Sequence, residues 1–272
     1  FPVGQFAARG HVARNLPVRG GPDADRDLLL TKHHLHGRPP APRASLRHLE
    51  EKQRTDLTTL AVLLPDNWSG VNAPSLPGLS LEARDEGGWR LWVHAPAVAE
   101  RISHGSALDT WLNQQAEAIC AGTQWLPLLP PALDKASALR VGERSEAVSV
   151  ALELSSEGVL EHFRFCLSLI KPSARLDSAA LMALAERKPK ARTVPAALKL
   201  LKEHLPLVET LLTVVDLLRS RRLEAGSPDL DLAAPAIESL GDLRIPLPDA
   251  SREGWLVQLP NSEPMGLLRE AV

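Results

Sequence analysis

Tyrosine is absent from this chain of 272 residues, and six Trp with four Phe bring the aromatics to only 4%. Ring stacking on nucleobases, if the chain does it, falls to Trp, Phe or the nine His. Cysteine is nearly absent as well. Cys120 and Cys166 lack CxxC spacing, which excludes a disulfide scaffold or a zinc ribbon and reads as two buried thiols in a reduced, cytoplasmic chain. No apolar run reaches the length of a membrane span and no signal-peptide pattern opens the sequence, so no membrane is expected as a partner. A strong charge of either sign is also missing: 31 Lys and Arg against 33 Asp and Glu give −2. An all-over electrostatic trap for nucleic acid is excluded, whereas a local basic groove is not. There is no GxSxG elbow, phosphate-binding loop or paired-His zinc helix, and His94, at a strand end, reads as structural.

What is present is organised around Leu79 to Ile102. Leu79, Leu81 and Ala83 alternate with polar residues, as do Trp89, Leu91 and Val93 beyond a Glu86-Gly87-Gly88 turn, so two half-buried strands form a hairpin. Pro96 then fits the first turn of a helix over Ala97 to Ile102. Before the hairpin, Leu57 to Leu64 reads as a buried strand. After it come an amphipathic helix from Ser106 to Cys120, a second hairpin of Val148 to Leu154 and Phe163 to Ile170, a helix starting at Leu181, and a long amphipathic helix from Lys199 to Arg222 with a break near Pro206. Strand-like stretches follow at Asp229 to Leu232, Leu243 to Ile245 and Trp255 to Val257. The class is α+β.

Two stretches are basic. Residues 32–56 form a proline-rich connector carrying Lys32, Arg38, Arg43 and Arg47, an extended cationic backbone suited to tracking phosphates. His33, His34 and His36 lie in it without carboxylate or cysteine partners at ligand spacing, so no metal site is assigned there. Arg187, Lys188, Lys190 and Arg192 make the second cluster.

The wording "strand, GGW, strand, VHxAxVAERI, GSALD" resembles the amino-terminal half of the catalytic RNB domain of the ribonuclease II and ribonuclease R family. Further segments match in the same order: Arg54 to Thr58, Leu126 to Leu133, Glu146 to Leu154, Phe163 to Phe165, Ala174-Arg175-Leu176, and Arg221 to Leu232. The resemblance implies an RNB-like domain over 57–272, incomplete at its carboxyl end, with a mixed or antiparallel sheet flanked by helices. The connector 32–56 would precede it, and 1–31 would be a remnant of an OB-like β module or an arm.

The resemblance also implies 3′→5′ hydrolysis of single-stranded RNA by Mg²⁺ held on a loop of aspartates, because hard cations take carboxylate oxygens and activate water. This chain departs there. The adjacent aspartate pair falls on Leu76 and Pro77, and the preceding one near Pro74. Only Asp66 remains in the loop, a weak catalytic candidate, with Glu82 and Asp85 the other nearby acids. The expectation is a catalytically degenerate relative with no metal or other cofactor, binding single-stranded RNA or a protein partner. Lys32, Arg38, Arg43, Arg47, Arg175, Arg187, Lys188, Lys190 and Arg192 would contact the RNA, and the oligomeric state is left open. The alternatives are an active Mg²⁺-dependent exoribonuclease and an unrelated α+β scaffold. Topology separates the last: residues 59–64, 79–83 and 89–93 must share one sheet if the resemblance holds.

Overall fold

The computed structural model describes residues 11–12, 15, 22–35, 38–66, 72–121, 124–185, 194–228, 236–239 and 255–258. The chain divides into two units, Phe1–Pro40 with Pro235–Gln258, and Ala41–Ala234 with Leu259–Val272. In the first unit, helix α1 spans Pro22–Lys32, and Ala236–Ser239 pairs antiparallel with Trp255–Gln258. Thus the described part of 1–31, read as β remnant or arm, is chiefly helix. The expected strands at Asp229 to Leu232 and Leu243 to Ile245 lie outside the described residues.

The second unit is built on one seven-stranded mixed sheet of order β1-β8-β7-β4-β3-β2-β9. Its strands are β1 Thr55–Asp56, β2 Val62–Asp66, β3 Gly78–Ala83, β4 Trp89–Pro96, β7 Ser145–Leu154, β8 Leu160–Ile170 and β9 Pro172–Asp177. Neighbours are antiparallel except β1 with β8 and β2 with β9, which are parallel. A short separate pair, β5 Ile119–Ala121 with β6 Gln124–Leu126, stands beside it in sequence. The helices are α2 Ala107–Gln115, α3 Pro131–Ser137, α4 Ser178–Ala185 and α5 Leu205–Glu224. The expected segments 79–83 and 89–93 meet residues 62–64 in one sheet, but the buried strand expected from Leu57 begins only at Val62, with 57–61 forming a turn.

The first hairpin forms where the alternation places it, with Leu81 opposite Leu91 and Leu79 opposite Val93. Gly88 closes its turn at φ 80°, and any Cβ there would strike the Leu154 carbonyl, so only glycine fits. Three local expectations are corrected. Pro96 ends β4 opposite Ala147 and leaves only a 3-10 turn at Ala99–Arg101 in place of a helix. Ladder pairing with β7 outweighs the helical propensity of 97–102. The helix expected to reach Cys120 stops at Gln115, because Ala116 takes φ 62°. And the long helix has two parts, a 3-10 stretch Ala196–His204 and α5, with Pro206 in the first turn of α5, where its missing N–H costs nothing.

Both sheet faces are apolar. On one, Leu63, Leu79, Leu91, Val93 and Leu176 pack under α4, the 3-10 stretch and α5 through Leu181, Leu198, Leu201, Val208, Leu211 and Val215. Each such buried side chain contributes about 1.5–3 kcal/mol. On the other face, Val62, Leu64, Trp92, Ala147, Ala151 and Ile170 cluster with Leu57 and Leu139.

Candidate nucleic-acid interface

The centre of the sheet carries a polar chain inside an apolar layer. His94 is fully buried, and its Nδ1 lies 2.7 Å from Ser149 Oγ while its Nε2 lies 2.9 Å from Ser80 Oγ. Ser149 Oγ is 2.6 Å from Ser168 Oγ, which donates to the Ala147 carbonyl at 3.2 Å. That last bond fixes the rest. Ser168 uses its proton on Ala147, so it accepts from Ser149; Ser149 then accepts from Nδ1–H, and Ser80 donates to the bare Nε2. Burial pushes the His94 imidazole down to about 4, so it is neutral near pH 7. With no solvent path and every partner used, this is a scaffold element, as read from its place at a strand end.

Near the carboxyl end of β2 the chemistry is different. The loop 72–77 reads Asn, Ala, Pro, Ser, Leu, Pro. A cavity of about 180 Å³ lies against it, lined by Leu64, Pro65, Pro74, Leu76, Leu139 and Arg175 among others. A larger one of about 410 Å³ runs along the same loop toward Pro127, Leu129, Asp134 and Ser137. Ser137 is 6% exposed and its Oγ has no hydrogen-bond partner. The donor set does not suit a divalent cation. The smaller cavity has no carboxylate in its lining and has a guanidinium instead, and among the described residues no group of three or more His, Cys, Asp or Glu is placed to hold a metal. Asp66 stands in register with Asp177, an acid that sequence reading overlooked, yet Asp177 Oδ1 already accepts from the Ala180 N–H at 2.7 Å. Glu82 accepts from the Trp92 indole at 2.7 Å, away from any metal-like cluster.

The described basic residues are divided between the two units. Arg43, Arg47 and Arg175 are exposed in the larger unit, Lys32 and Arg38 belong to the smaller one, and Arg187, Lys188, Lys190 and Arg192 lie outside the described residues. Of the two cysteines read as buried thiols, Cys120 is exposed and Cys166 only partly buried. Cys120 sits on a two-strand ribbon that has no core of its own, which corrects that reading. Among the described Phe and Trp residues, Phe163 and Phe165 on β8 are exposed and meet edge to face at 6.0 Å. No described helix is long and apolar enough to cross a membrane.

A mixed sheet of this order, roofed by α4 and α5 and rimmed by a loop after β2, is the framework of an RNB-type ribonuclease fold. The chain belongs to the RNB family: the RNB domain model matches residues 54–262. It is 30% identical over 127 residues to an uncharacterized ribonuclease of Synechocystis, covering 46% of this chain and 19% of the relative. It is 28% identical over 153 residues to the chloroplastic/mitochondrial ribonuclease II of Arabidopsis thaliana, again 19% of that protein's length and 55% of this chain. Among solved structures it is similar to apo RNase R of Mycoplasma genitalium, with TM-score 0.69 at 14% identity over 92% of this chain and 38% of that one. It is also similar to yeast Ssd1, a pseudonuclease, with TM-score 0.60 at 19% identity over 81% of this chain and 27% of that one. The chain thus spans about a fifth of the length of the curated relatives it matches.

Proposed function

We propose that this RNB-family chain holds single-stranded RNA without hydrolysing it. The observation that carries the reading is the rim of β2: Pro74 and Leu76 stand where the family resemblance implies carboxylates, and Arg175 lines the cavity beside them. A cation there repels Mg²⁺ and attracts a phosphate, so the residues favour retention of the strand over its cleavage. A related protein, RNase R of Mycoplasma genitalium, has been solved with ribose methylated single-stranded RNA. The same fold in the pseudonuclease Ssd1 gives a precedent for keeping the scaffold without the nuclease. The competing reading, an active Mg²⁺-dependent 3′→5′ exoribonuclease, rests on Asp66 and its register partner Asp177, two carboxylate residues where hydrolysis would want more.

Incubation of the pure chain with end-labelled single-stranded RNA and Mg²⁺ decides between them. The expected result is a mobility shift that weakens with salt and no shortening from the 3′ end. Arg175→Gln should weaken the shift roughly three- to ten-fold, about the effect of one lost phosphate contact. Shortened products would establish the nuclease, and the absence of any salt-sensitive shift would leave a protein partner as the function.

A further inference from the structure

We propose that a third cavity, between the basic connector and the start of α2, is a pocket for one backbone phosphate of RNA. The proposal rests on the RNA-binding reading above and adds a site to it. The cavity has a volume of about 270 Å³, and its walls include Arg43 and Ser45 from the connector, Arg101 and Ser103 after the 3-10 turn, and Ser106 at the start of α2. That volume is well beyond the space one water needs and leaves room for a phosphate group.

The two arginines come from segments far apart in sequence and are held together by backbone. The Arg47 N–H donates to the Arg101 carbonyl at 2.9 Å, pinning the connector alongside the turn. Arg101 is oriented from behind. Its Nη2 donates to Glu146 at 2.8 Å, which holds the guanidinium plane, and the side chain is only 14% exposed. Arg43, by contrast, is exposed and supplies the second charge.

The charge of the walls favours an anion. The lining carries the Arg43 and Arg101 guanidiniums and no carboxylate, the Glu146 partner of Arg101 lying outside it. The helix end is not what binds. Ser106 Oγ already accepts from Asp109 N–H at 3.2 Å and Gly105 N–H already donates to Asp109 at 2.8 Å, while His104 faces the same carboxylate at 3.4 Å. The hydroxyls of Ser45 and Ser103 offer neutral donors beside the arginines, the pairing that phosphate oxygens take in nucleic-acid complexes.

Two arms test this on the whole chain. In the first, anisotropy of a labelled twelve-nucleotide single strand is read against salt for wild type, Arg43→Gln and Arg43→Lys, with circular dichroism confirming the fold. Arg43→Gln should bind about five-fold more weakly and lose about 0.7 from the slope of log K against log salt, whereas Arg43→Lys should keep the slope. In the second, inorganic phosphate alone is titrated into isotope-labelled chain. Saturable amide shifts should appear at Ser103 and Ser106 in wild type and vanish in Arg43→Gln. Equal RNA affinity and slope in wild type and Arg43→Gln would overturn the pocket while leaving RNA binding intact. Phosphate shifts without RNA binding would keep a phosphate pocket and remove the RNA strand as its source. Neither response in wild type would overturn both.

Discussion

The His94 end of β4 and the rim beyond β2 belong to one sheet, two strands apart, yet they treat polar groups in opposite ways. At the first, four buried side chains form a relay ending on the Ala147 carbonyl, in which every side-chain donor is used. At the rim, prolines and a leucine line two cavities, one of which Arg175 also lines, while the other holds the buried Ser137 hydroxyl, which has no hydrogen-bond partner. The polar groups at the centre are finished internally, whereas the Ser137 hydroxyl at the rim is not.

Substitutions should separate the two regions by size of effect. His94→Ala strands Ser80 and Ser149 and opens a cavity, so it should cost about 4 kcal/mol by urea denaturation; a loss under about 1 kcal/mol would show that the relay is dispensable. Acid should act on the same residue. The folded value of about 4 lies below the ordinary 6.5, so the unfolded chain binds the extra proton. The contribution of neutral His94 is complete above pH 6.5 and is lost as pH falls through about 4, amounting to about 3 kcal/mol. Denaturation midpoints from pH 7 to pH 4 check the sign, and His94→Gln should flatten that part of the profile.

The rim should respond less to deletion and more to rebuilding. Pro74→Asp with Leu76→Asp and Pro77→Asp restores acids at the positions the resemblance implies, and mutual repulsion should cost about 1–2 kcal/mol without metal. Added Mg²⁺ should then raise the melting temperature of the triple variant and leave that of wild type unchanged; equal responses would break the contrast. Pro74→Ser alone should move stability by less than about 1 kcal/mol. Loss of the surface pair between Arg221 and Glu157, 2.8 Å apart and well exposed, should be smallest, about 0.5 kcal/mol.

The sequence was informative where structure is local. Alternation with a glycine turn placed both hairpins, and the departure at Pro74, Leu76 and Pro77 was visible as missing carboxylates. It misled where pairing partners lie far along the chain. Pro96 has the composition of a helix start, but β7, some fifty residues later, claims it as strand. Residues 172–177 were noticed only as wording around Arg175, because a strand that opens on proline and takes a parallel partner has no short-range turn to announce it. Asp177 was missed for the same reason. The cavity joining Arg43 to Arg101 was illegible, since a single backbone bond from Arg47 creates that adjacency.

The two parallel pairings set an order of events during synthesis. β1 waits for Ser168 and Leu169, and β2 waits for Pro172 to Asp177, so both strands near the start of the larger unit emerge more than a hundred residues before their partners. Until the ribosome has passed Asp177, β2 can pair with β3 on one side only and its other edge stays open. Any expression boundary drawn before that aspartate removes the strand that seals β2, however complete the hairpins upstream look.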